Sequence, residues 1–115
     1  MAINKRRLRA LVKMIGELPE DVQWDMKSWR CCALGHAART PWFMSKGLEW
    51  DKGWERPCFR GFCGAPAIQG FFGISYAVYC NLFVEWTRWE GTREAVAARI
   101  TKYVDGLVDH RRART

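Results

Sequence analysis

The apolar positions of this chain recur at helical spacing. Leu8, Leu11, Val12, Ile15 and Leu18 stand three or four residues apart, so residues 5–18 read as an amphipathic helix with Asn4 as N-cap and Pro19 just beyond its end. Residues 20–30 lose the period and keep Trp24, Met26 and Trp29 as apolar anchors. A short helix over residues 30–38 follows, with Ser28 placed to cap it. Thr40-Pro41 then opens another that Gly47 stops. Between residues 48 and 64 glycine, proline, charge and aromatics mix; the Asp51-Lys52-Gly53 run suits a hairpin turn, and an irregular loop suits the composition equally. Pro66 begins a helix that Gly73 ends, and Ser75 caps the next, over residues 76–86. Thr92 caps a last helix whose Val96, Ile100, Tyr103, Val104 and Leu107 form one stripe.

These elements predict an all-α, or mainly α, fold. It is expected to be a compact single domain over residues 1–115 with five or six short helices and room for one small β-hairpin around residues 48–60. Residues 1–3 and 110–115 are expected to fray. With 115 residues a real core is possible. Seven Trp, six Phe and three Tyr add large buried areas, so a Trp-rich core is expected, with some rings left for a partner. No apolar run approaches a membrane span, and Lys13, Gly16 and Glu17 interrupt the basic N-terminal segment before it can read as a leader. No membrane partner and a cytoplasmic location follow as expectations. The five cysteines, an odd number, are then expected to be mostly reduced.

The net charge of +7 is unevenly placed. Lys5, Arg6, Arg7, Arg9 and Lys13 at one end, and Arg111, Arg112 and Arg114 at the other, share their segments with no acid. The stretch between holds nearly equal numbers of acids and bases. An anionic partner should therefore meet the ends first, which makes Arg6, Arg7, Arg111 and Arg112 candidate contacts. Lys5, Arg6 and Arg7 also stand in a first helical turn, where the helix dipole disfavours cations. Either they form a solvated face or they meet an anion. Arg30, Arg39, Arg56 and Arg60 flank aromatic segments and are the internal candidates for phosphate contact.

The stretch "WRCCALGHAARTPWF" carries the remaining chemistry. In a first helical turn, Cys31 and Cys32 would have lowered thiol pKa values, and Cys32 and His36 would share a face as a thiol–imidazole pair. Such catalysis normally draws its base from another element and adds an orienting residue, which nothing here places. Zinc is a second reading, with Cys32, His36, Cys58 and Cys63 as the ligand set, although neither pair has the usual knuckle spacing. The third reading is structural: Ala33, Gly35, Ala37 and Ala38 are small enough for another helix to approach closely. No cofactor is called for. "AIQGFFGISYAVYCNLF" has the outline of a helix-turn-helix, but its second helix has no Lys or Arg to read bases.

Taken together, "WDMKSW", "CCALGHAARTPWF", "FFGISYAVYCNLF" and "VAARITKYV" resemble small proteins of bacteria and their phages. Those proteins have a C-x-x-G-H-A segment, an FFGLS-type turn and a T-x-x-x-VA-x-RI closing helix. Cys32, Gly35 and His36 map onto the first motif and Phe71 to Ser75 onto the second; the upstream Cys-Gly-Thr of the first is missing. The resemblance implies the fold and a phage or bacterial origin, hence a bacterial host cytoplasm, and assigns no chemistry. The expected function is a non-enzymatic binding protein, a phage- or mobile-element-encoded accessory or counter-defence factor. Its partner would be a nucleotide-type ligand, nucleic acid or an acidic host-protein surface. The alternatives are a small cysteine-dependent enzyme using Cys32 and His36, or a zinc-stabilised interaction domain.

Overall fold

A computed structural model describes the backbone of residues 3–84 and 91–114, and the side chains of residues 3–84 and 91–107. Among them six helices and one small sheet follow in the order α1 (Lys5–Glu17), α2 (Ala33–Ala38), α3 (Pro41–Ser45), β1 (Glu49–Asp51), β2 (Arg56–Phe59), β3 (Phe62–Cys63), α4 (Ala65–Phe72), α5 (Tyr76–Phe83) and α6 (Arg93–Arg114). The fold is mainly α.

α1 begins as its sequence predicts, with the Asn4 side chain accepting the Arg7 amide at 3.0 Å. Its buried stripe, Leu8, Leu11, Met14 and Ile15, packs chiefly on α6, where Val96, Ile100 and Val104 are fully buried. α6 also closes the far end of α1. The Arg93 guanidinium donates to the carbonyls of Ile15, Leu18 and Pro19 at 2.9, 2.6 and 2.7 Å, adding a charged donor at the carbonyl-rich end of the helix. α6 runs to Arg114, and Ile3 packs against the core.

α2 starts later than its sequence suggests. Ser28 does not cap it; the Ser28 carbonyl accepts the amides of Cys31 and Cys32 in a preceding turn. Cys32 is itself the N-cap, its sulfur accepting the Gly35 amide at 3.4 Å. Gly35 explains why the lead-in can fold back here. A Cβ on it would fall 1.7 Å from the Trp29 carbonyl oxygen. The close approach at Gly35 is thus made by the chain just before the helix, not by another helix.

The expected hairpin is a three-stranded antiparallel sheet in the order β1-β2-β3. Residues 52–55 join the first two strands, and Arg60-Gly61 joins the last two in a two-residue turn. Both turn residues have positive φ, 51° and 84°, as a type I′ turn requires. Pairing of Trp50 with Pro57 and of Phe59 with Phe62 puts these four on one sheet face, from which Pro57 and Phe59 enter the core. Glu49, Asp51, Arg56, Cys58 and Cys63 share the opposite face. Cys58 and Cys63 are disulfide-bonded, so the expectation of reduced thiols fails for this pair, whereas Cys31, Cys32 and Cys80 are free.

The core also departs from expectation, for phenylalanine fills it. Phe43, Phe59, Phe71, Phe72 and Phe83 are buried; Trp24, Trp29, Trp42 and Trp50 pack around its rim, and Trp54 is 73% exposed. Phe71 is the hub, edge-on to Phe59 at 5.2 Å and to Phe72 at 5.0 Å. An indole carries an N–H that must find an acceptor when buried, whereas a phenyl ring carries none. Trp24 shows the consequence, donating from the rim to the Gly91 carbonyl at 2.7 Å.

Candidate functional site

The thiol–imidazole pair suggested by Cys32 and His36 is not formed. The Cys32 sulfur is occupied by its capping bond and by a 3.7 Å contact to the Trp29 carbonyl. Burial pushes its thiol up, the reverse of the lowering a first-turn position would give, with capping amides opposing burial less strongly. His36 turns elsewhere: its Nε2 lies 2.9 Å from the Gln23 carbonyl oxygen, and its ring stacks on Trp24 at 6.1 Å. Cys32 lines a cleft of about 760 Å³ with Trp24, Met26, Trp29 and Tyr79, but His36 is not on that wall. The cleft holds Tyr79, whose hydroxyl is pushed up to about 12 by burial first and then by neighbouring Cys32. The four-residue zinc set fails too. Among the described residues, only Asp51, Cys58 and Cys63 bring potential metal-binding atoms together.

The candidate arginines divide by what they already do. Arg30 pairs with Glu55. Arg39 donates to the Gly35 carbonyl at 3.0 Å and to the Arg30 carbonyl, and lies 4.8 Å over the Trp50 ring. Both are tied to the loops they hold. Arg56 lies 5.8 Å from the Trp54 ring and reaches the Trp54 carbonyl only at 3.5 Å. At the N-terminal end the cations diverge. Arg6 lines a groove of about 490 Å³ with Lys13, Met14 and Trp42. Arg9 pairs with Asp105 at 3.0 Å, and Lys13 faces Glu17 at 3.9 Å. The side chains of Arg111 and Arg112 lie outside the described residues.

Arg7 and Arg60 come together. Arg7 donates to the Phe71 carbonyl at 3.0 Å, and the Asn4 amide donates to Phe72 at 2.8 Å, so the start of α1 caps the end of α4. This resolves the misplaced cation in a first helical turn: Arg7 serves the negative end of another helix. Its guanidinium lies 4.3 Å over Phe71 and 5.8 Å from Phe59, and that of Arg60 lies 4.9 Å over Phe59. Neither forms an ion pair with a described carboxylate. Burial, and then the positive charge of Arg60, lower the pKa of Arg7 below its ordinary value. Two like charges held against an edge-to-face phenylalanine pair, without a carboxylate partner among the described residues, make a place where an anion is favoured.

Arg60 reaches this position from an unusual backbone. It takes a left-handed conformation in a turn where asparagine or glycine is preferred. Sequence reasoning missed the pairing of Arg7 with Arg60 around these rings, because Phe59 and Phe71 lie far along the chain from Arg7. One local signal was available: Arg60-Gly61 between two phenylalanines is a short-turn pattern.

Comparison with known proteins finds no matching protein family, curated protein or solved structure. Among the described residues no helix is long and apolar enough to cross a membrane.

Proposed function

We propose that the protein is a non-enzymatic binding protein that engages an anionic partner through Arg7 and Arg60. The observation that carries this reading is their convergence over Phe59 and Phe71 with no carboxylate partner among the described residues. The partner classes are a nucleotide-type ligand, nucleic acid or an acidic host-protein surface. A role as a phage or mobile-element accessory factor acting against a host defence, in the host cytoplasm, is drawn from the resemblance of the motifs. Arg6, Arg111 and Arg112 add long-range attraction.

The test measures binding of ATP and of a short fluorescent single-stranded DNA. Arg60→Asn should weaken whichever probe binds by about tenfold, the effect of losing one charge-assisted contact. Joint replacement of Arg6, Arg111 and Arg112 by Ala should slow association at low salt and matter little once salt screens it. Unchanged binding by Arg60→Asn, with binding abolished in the triple variant, would move the site to the chain ends.

A further inference from the structure

The outer face of the sheet gathers a second group of residues, on the side of the hairpin opposite Phe59. Cys58 and Cys63 face each other across β2 and β3. The amide of Gly64 donates to the Pro57 carbonyl at 2.9 Å, so the next pair, Cys58 with Cys63, is a non-hydrogen-bonded one. Side chains stand closest in such pairs, and the two Cα atoms are 4.0 Å apart. Asp51 joins them from β1. It pairs with Arg56, two residues before Cys58, and therefore lies diagonally beside Cys58 on the same face. A carboxylate oxygen of Asp51 and both sulfurs lie within 4.8 Å of one another.

Asp51 is available to a metal. Its Oδ2 accepts the Trp54 amide at 3.2 Å, and no hydrogen bond from a described residue reaches its Oδ1. The opposing Arg56 lies against Trp54 and forms no ion pair with it.

We propose that reduction of the Cys58–Cys63 disulfide turns this face into a zinc site with Cys58, Cys63 and Asp51 as ligands. A cellular dithiol supplies the two electrons: its thiolate attacks one sulfur, a mixed disulfide forms, and its second thiolate closes the reductant's own disulfide. Cys58 and Cys63 leave as thiols. Zinc then displaces two protons to solvent and binds both thiolates. Tetrahedral zinc ligands stand roughly 3.5–3.8 Å apart, so once the disulfide opens the two sulfurs move apart and the Asp51 oxygen draws inward to reach that spacing. Two sulfurs and one carboxylate favour zinc over magnesium or calcium. The fourth position faces solvent, where water completes the shell. The hairpin thus has two closed states, a disulfide under oxidising conditions and a metal clip under reducing ones.

The experiment uses the full chain, oxidised or reduced with a trialkylphosphine, which becomes the phosphine oxide with oxygen from water. Each form is mixed with zinc, passed through a desalting column and analysed for metal; cobalt replaces zinc for spectroscopy. The reduced protein should retain one zinc per chain and show thiolate-to-cobalt charge-transfer absorption, and the oxidised protein should show neither. Cys63→Ser should abolish the absorption, whereas Asp51→Asn should keep it and weaken zinc binding by about tenfold or more. His36→Ala should change nothing. A reduced protein that retains no zinc overturns the proposal, as does zinc binding that survives Cys63→Ser or is lost in His36→Ala. Unchanged affinity in Asp51→Asn removes the carboxylate from the site.

Discussion

Gly35 holds a backbone position that no side chain could share, and Arg60 holds one that its side chain does not favour. At Gly35 even one methyl group would enter the Trp29 carbonyl, and backbone cannot yield as a flexible side chain does. Gly35→Ala should therefore cost at least about 2 kcal/mol, read from a urea denaturation midpoint. An unchanged midpoint would mean that the lead-in does not fold back over α2. Arg60 is the converse. Its left-handed conformation costs an ordinary residue about 1 kcal/mol, a cost that asparagine largely escapes. Arg60→Asn should raise stability by about that amount while weakening anion binding. Loss of stability together with binding would show that the guanidinium is a structural prop on Phe59.

Two helix ends in this molecule are finished by groups from other elements. α4 receives Arg7 and the Asn4 amide from α1, and α1 receives Arg93 from α6. These bonds join neighbours that also share the core, so capping and packing reinforce each other. Arg93→Ala removes three charge-assisted hydrogen bonds, leaving the Leu18 carbonyl without a donor among the described residues, and should cost roughly 2 kcal/mol by thermal or urea unfolding. Arg93→Lys should recover only part of this, because an ammonium cannot reproduce the guanidinium fork. Full recovery by lysine would show that charge at the end of α1, and not the fork, does the capping.

Across the whole molecule the phenolic group of Tyr79 ties stability to pH. The unfolded chain gives up this proton near pH 10, whereas the folded chain holds it to about 12. Between these values the unfolded state binds fewer protons, so stability is intact below about pH 10 and falls as pH rises to about 12. The buried Cys32 thiol, also pushed up, adds a loss of the same sign. A urea midpoint followed through this window should decline, and Tyr79→Phe should flatten much of the decline. An identical profile in the variant would assign the alkaline loss to other groups.

What the sequence determined by itself was local. The Asn4, Ser75 and Thr92 caps, the stops at Gly47 and Gly73 and the apolar stripes of α1 and α6 were all legible. Each depends on residues within about one helical turn, the range over which capping and periodicity act. The false start of α2 marks the limit of that range. Ser28 has the right chemistry for a cap, but the fold-back over Gly35 needs those residues as a turn. The tertiary structure alone decided the rest. Arg7 meets a carbonyl 64 residues away, and Arg93 meets one 78 residues away. It also decided that phenylalanine fills the core while the described tryptophans keep to its rim or surface, and that Asp51 joins Cys58 and Cys63 where Cys32 and His36 do not. No local period encodes such meetings, because they exist only once packing of the apolar faces has fixed which elements are neighbours.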